Sequence, residues 1–326
     1  MLQHVLFFVG GLVLLLVGGR LLVSASVDTA RRLSVSPLVV GLTLVAWGTS
    51  APELALNLIS AFKGRGDLAV GNLIGANICN IALVLGACAV LTPLVVQERL
   101  IRVEIWLNAV VLSALAALGL LGDLQRWNAA MMLLVFVVYS ALTIRAALRE
   151  SWQSAGSVTT HAPDPDVAPE GPPMGWILIA VCFAGGLAML SFGGSLASDG
   201  ASGIAIALGV APGVVGVTVV AVGTTLPELI TGVLAVRKGQ TDLAMGNVLG
   251  SCLFNAGAIY GLAGLVAPPQ SSDVLNLPLA FMAALSLVLI PISRTHERRV
   301  ARIEGVGLLA IYAAFIAVSA WRNLPA

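Results

Sequence analysis

Charged side chains are scarce in this sequence. They make up 10% of its 326 residues, where a soluble domain carries about 25%, and 58% of the chain is hydrophobic. That shortage excludes a water-soluble globule. A net charge of +1 leaves no basic excess, which removes the electrostatic footprint of a nucleic-acid binder. Histidine is rarer still: His4, His161 and His296 lie near a terminus or in connections, so a histidine metal centre is excluded. The four cysteines, Cys79, Cys88, Cys182 and Cys252, all fall inside apolar runs, where they read as small apolar residues and not as a disulfide framework. Those runs also lack paired aspartates and His-rich motifs, the machinery an intramembrane protease needs.

What the chain has instead is long hydrophobic runs. Ten are read near 4–22, 37–62, 67–91, 105–121, 128–148, 174–197, 212–236, 242–266, 274–292 and 303–321, of the length that crosses a bilayer as a helix. The first lacks the basic flank of a secretory signal and is read as a span. Thirteen of the seventeen Lys and Arg fall on one side of this plan: Arg20, Arg31, Arg32, Arg99, Arg102, Arg145, Arg149, Arg237, Lys238, Arg294, Arg298, Arg299 and Arg302. The positive-inside rule places that side in the cytoplasm and both termini outside it, as in a multi-pass protein of a bacterial inner membrane. The connection 149–173, with His161-Ala-Pro-Asp-Pro, is then a cytoplasmic linker. The lipid bilayer is the one partner the composition demands; no obligate protein partner and no cofactor are implied.

One stretch conflicts with this apolar plan. In Trp47-Gly-Thr-Ser-Ala-Pro-Glu-Leu-Ala-Leu56, Glu53 stands alone among apolar neighbours, beside a proline that removes a helix donor. An acid at the bilayer centre costs roughly 2.5–3.5 kcal/mol on insertion scales. The chain makes the same choice again. Residues 41–80 align with 216–255 at an offset of 175 without a gap, and eighteen of the forty positions are identical. Gly18-Gly19 answers Gly193-Gly194, and Pro37 answers Pro212. Five spans separate the copies, an odd number, so the second must cross in the opposite sense. The expected fold is an all-α membrane protein of ten transmembrane helices in two inverted five-helix repeats, 1–148 and 174–326.

Of the sixteen acids, fourteen fall in connections or at span ends on this reading; Glu53 and Glu228 remain, at the same repeat position. Each follows a proline and a hydroxyl pair, Thr49-Ser50 or Thr224-Thr225. Two carboxylates facing across a repeat axis repel each other, and a bound cation removes that cost. The breaks at Pro52 and Pro227 should free carbonyls near Ala46–Thr49 and Ala221–Thr224, while Asn77, Asn80, Ser251 and Asn255 end the partner helices. Oxygen ligands of this kind suit hard cations such as calcium and sodium. Gly71, Gly75, Gly246 and Gly250 read as packing residues, Asn72 and Asn247 as either packing or site residues, and Asp67 and Asp242 as helix caps.

The paired Gly-Thr-Ser-Ala-Pro-Glu and Gly-Thr-Thr-Leu-Pro-Glu motifs, each followed by Gly-Asn-x-x-Gly and a terminal Asn, resemble the two alpha-repeats of the sodium/calcium exchanger family. The resemblance implies two five-helix halves and four cation positions around the glutamates. It also implies alternating access, in which the first and sixth helices slide against the rest. Carried onto this chain, Glu53 and Glu228 would hold calcium with the carbonyls of Thr49 and Thr224. Ser50, Thr225, Ala46, Ala221 and Ser251 would help form sodium positions, and Asn80 and Asn255 would line the middle. Asn255 stands where many relatives have Asp, which argues against potassium co-transport. Ala76 stands where the family often has Ser, which removes a hydroxyl from one sodium position. A calcium/proton antiporter is the nearest rival, since a glutamate pair also carries protons; a channel is a more distant one.

Overall fold

The computed structural model describes residues 1–154, 172–209, 221–269 and 275–322. Its frame is helical. The first half holds α1 (Leu2–Leu33), α2 (Pro37–Thr49), α3 (Ala51–Phe62), α4 (Gly66–Leu91), α5 (Leu100–Leu120) and α6 (Arg126–Ser154). The second holds α7 (Trp176–Ala207), α8 (Ala221–Thr224), α9 (Leu226–Arg237), α10 (Thr241–Val266), α11 (Asn276–Ile292) and α12 (Arg302–Arg322). Among the described residues seven helices are long and apolar enough to cross a membrane, and α2 with α3, bent by 45°, makes an eighth. A two-residue strand pair, β1 (Leu94–Val95) against β2 (Arg299–Val300), ties the chain after α4 to the chain before α12. The linker residues 155–171 and the opening of the second copy, Pro212 included, lie outside the described residues.

Local signals explain where the helices stop and bend. Ser36 caps α2 by accepting from Val39 N at 3.4 Å, and Pro37 follows at the first helical position, where its missing N–H costs nothing. α1 ends at Ser34, in the left-handed region with φ 52°, with Arg31 and Arg32 in its last turn where the helix dipole favours cations. The duplication is visible in the boundaries themselves. Wide π turns at Cys79–Val84 and Phe254–Ile259 interrupt α4 and α10 at positions related by the 175-residue offset. The turns after α3 and α9 both use a glycine at positive φ, Gly64 at 73° and Gly239 at 71°.

Burial sorts the helices into layers. In α4 and α10, 78% and 89% of the most apolar stretch is buried, against 28% in α1 and in α7. The copied segments therefore form the centre, and α1 and α7 turn large apolar side chains such as Leu2, Ile177 and Phe192 outward. These two outer helices pack antiparallel along a glycine seam. Phe8 meets Gly200, Gly11 meets Gly193, and Gly18 meets Gly186 with its backbone oxygen 2.8 Å from where a Cβ would stand. Small residues let backbones approach, which is how helices associate where lipid offers no hydrophobic drive.

Three expectations need correction. α1 and α7 continue well past the apolar runs 4–22 and 174–197, to Leu33 and Ala207, and carry Ser24, Asp28 and Asp199 within the helix. Asp67 and Asp242 do not cap: the cap positions are Arg65 and Gln240, and the Asp242 carboxylate instead accepts from Gln97 Nε2 at 2.5 Å. Glu104 is no solvated span end. α5 begins at Leu100 with a π turn that buries Glu104 completely, beside Arg99 Nε at 3.3 Å.

Candidate functional site

The two breaks are alike in backbone. Ser50, between α2 and α3, has φ −89° and ψ 5°; Thr225, between α8 and α9, has φ −94° and ψ 1°. Pro52 and Pro227 then sit in the first turn of a new helix, where a residue without N–H is tolerated. The first break frees fewer carbonyls than Pro52 alone would imply. Ser50 N still donates to Ala46 O at 3.1 Å, the ordinary α-helical bond, and the Thr49 hydroxyl donates to Val45 O at 3.0 Å, so side chain and backbone both satisfy carbonyls at the end of α2.

Glu53 and Glu228 occupy the first turns of α3 and α9, where the positive end of the helix dipole favours a carboxylate. They are 3% and 1% exposed. Ser50 Oγ donates to Glu228 Oε1 at 3.0 Å, so the break of one copy touches the acid of the other. Thr49 Oγ1 lies 3.3 Å from Asn247 Oδ1, joining α2 to α10, and Asn255 Nδ2 donates to Asn77 Oδ1 at 3.2 Å, joining α10 to α4. Asn57 Nδ2 donates to the Glu53 carbonyl at 2.7 Å.

Of the residues singled out in the sequence, Ala46, Thr49, Ser50, Asn80, Thr225, Ser251 and Asn255 are all buried in the core with the two glutamates, and Thr224 is half-buried beside them. Ala221 opens α8, and its side chain lies outside the described set. Among the described residues Glu53 Oε2, Glu228 Oε2, Asn80 Oδ1, Asn255 Oδ1 and Ser251 Oγ are buried without a hydrogen-bond partner. A buried oxygen left unpaired costs about 1–3 kcal/mol, more when charged. Oxygens of these kinds suit a hard cation, carboxylates for charge and amide or hydroxyl oxygens to replace water. Asn247, left open by its Gly-Asn-x-x-Gly context, is buried beside Thr49, with its Oδ1 taken by the Thr49 hydroxyl and its Nδ2 without a partner among the described residues. Glu104 lies on α5, and its carboxylate pairs with Arg99 instead. A cavity of about 250 Å³ adjoins Glu53, between Pro52, Pro227 and one face of α7.

Known proteins resemble this chain over nearly its whole length. The sequence matches the family described as "Sodium/calcium exchanger protein" over residues 3–145 and 178–321. The inner membrane protein YrbG of Escherichia coli is 31% identical over 291 residues, covering 89% of this chain and 86% of that one. The sodium/calcium exchanger MaX1 of Methanosarcina acetivorans is 29% identical over 339 residues, covering 94% of this chain and 96% of its own. A solved structure of the sodium-calcium exchanger NCX_Mj superposes with a TM-score of 0.81 at 29% identity, covering 96% of this chain and 97% of that one. MaX1 and NCX_Mj are exchangers and not enzymes, and the chain belongs to the sodium/calcium exchanger family of membrane antiporters.

Proposed function

We propose that this protein exchanges calcium for sodium by alternating access, at a site near the bilayer midplane built on Glu53 and Glu228. The observation that carries the reading is the group of buried, unpartnered oxygens shared by both copies, Glu53 with Glu228 and Asn80 with Asn255. Two carboxylates balance one calcium. The carbonyls of Thr49 and Thr224 join the glutamates on calcium, and Ser50, Thr225, Ala46, Ala221 and Ser251 supply neutral oxygens that serve sodium. The chain is read as two inverted five-helix repeats, 1–148 and 174–326, joined by the linker 149–173. The antiparallel seam between α1 and α7 supports that inversion. The excess of basic residues on one side supports a cytoplasmic linker and termini on the opposite face.

The test is calcium-45 uptake into proteoliposomes at equal pH on both sides, with sodium inside, against sodium-free vesicles with an acid interior. Uptake driven by the sodium gradient is expected. Uptake only in the second case would replace sodium by protons as the coupling ion.

A further inference from the structure

The α7 face of the cavity carries a polar stripe that the first half does not repeat. Ser191, Ser195, Ser198 and Asp199 line the space beside Glu53, at spacings of four, seven and eight residues that put them on one side of the helix. From Ser191 to Asp199 the helix rises about 12 Å. At the corresponding positions of α1 stand Leu16, Arg20, Val23 and Ser24, so no matching acid or serine track exists there. Asp199 is exposed and, among the described residues, has no ion-pair partner, whereas Glu53 is buried with Oε2 unpartnered. The cavity is thus lined by an exposed carboxylate, by serine hydroxyls and by a buried carboxylate. Glu228 does not line it.

We propose that Asp199, with the hydroxyls of Ser195 and Ser198, is an outer capture station: it draws a hydrated divalent cation into the cavity and hands it along the serine face to Glu53. Hard oxygen ligands and a single negative charge fit a cation that keeps most of its water, as weak transient sites require. The station raises the local cation concentration without belonging to the high-affinity set. It serves only the face that carries the end of α7 and the turn after α3, and the absence of a like stripe in α1 makes the two sides of the exchanger kinetically unlike. The proposal rests on the reading of Glu53 as a cation ligand.

The test uses the full chain in proteoliposomes and follows initial calcium-45 uptake against calcium concentration on the α7-terminal face, with ionic strength set by choline chloride. Asp199→Asn is expected to raise KM about threefold to tenfold at low ionic strength with kcat within about twofold, an effect of charge at a mouth. The rise should shrink towards none near 1 M salt, where the Debye length is about 3 Å, and Asp199→Glu should restore the wild-type value. Calorimetry should give Asp199→Asn the wild-type calcium affinity. An unchanged KM in Asp199→Asn overturns the proposal, as does a raised KM that neither high salt nor Asp199→Glu corrects, which marks a structural role. Wild-type protein that moves no calcium at all overturns the exchanger reading beneath it, a result separate from either of these.

Discussion

Ser50 and Glu228 lie 178 residues apart in the chain and 3.0 Å apart in space, the hydroxyl donating to the carboxylate. The contact runs between the helix break of one copy and the acid of the other. The Glu228 carboxylate is therefore oriented by a residue that the first copy supplies. A duplicated chain with two independent sites would have paired each acid within its own half.

Both glutamates should thus be indispensable for calcium. Glu53→Gln and Glu228→Gln each remove half of the negative charge that balances a divalent ion while preserving shape. Each should abolish calcium binding by calorimetry, with little loss of folded protein, since a carboxylate buried without a cation is itself unfavourable. Near-wild-type affinity in either variant would end the shared-site reading.

This centre is legible in the sequence because duplication repeats it. Each of Glu53, Pro52 and Thr49 has a partner at the same offset, and an acid in an apolar span needs an explanation. What lies outside the copied segments is harder to read. Glu104 stands at the edge of an apolar run, where hydropathy alone reads a solvated acid; only the π turn that starts α5 at Leu100 carries it inside. The serines of α7 resemble those that bond to their own helix, as Ser191 Oγ does to Leu187 O at 2.8 Å, and nothing in α1 repeats them. Asn247 is ambiguous in sequence because a Gly-Asn-x-x-Gly motif serves helix packing equally well.

The packing role of that motif has its own test. A Cβ at Gly246 would stand 2.5 Å from Leu38 O and 2.9 Å from Leu42 N, both backbone atoms that cannot turn aside. Gly246→Ala should therefore destabilise by about 1–3 kcal/mol, read as a lower Tm in detergent. At Gly307, in α12, a Cβ would meet no atom within 4 Å among the described residues. Gly307→Ala should leave Tm unchanged or raise it slightly, because alanine favours the helix by up to about 1 kcal/mol. Equal effects at both positions would refute the close-approach account.

Inversion predicts sidedness. Lys63 and Lys238 are equivalent residues, each capping the helix that follows the break, and both are exposed. Cysteines placed there in a background without native cysteines should react with an impermeant thiol reagent from opposite faces, Lys238→Cys from the cytoplasm. Labelling from one face would mean that the copies cross in the same sense.

Coupling to sodium predicts a current. A site with two carboxylates is neutral when it holds one calcium, and three sodium ions, the exchange ratio that the resemblance implies, would leave it with one excess positive charge. The sodium-loaded form then moves charge across the membrane at each turnover, and every elementary charge responds to about 2.3 kcal/mol per 100 mV. In sodium-loaded proteoliposomes clamped by a potassium gradient and valinomycin, an inside-positive potential should speed calcium uptake, because net positive charge leaves as calcium enters. An inside-negative potential should slow it. Protons should act as competitors: lowering pH equally on both sides protonates the glutamates and reduces uptake without driving it. Uptake indifferent to voltage would require two sodium ions per calcium, and the neutral oxygens around Thr49, Ser50 and Ser251 would then serve fewer cations than their number allows.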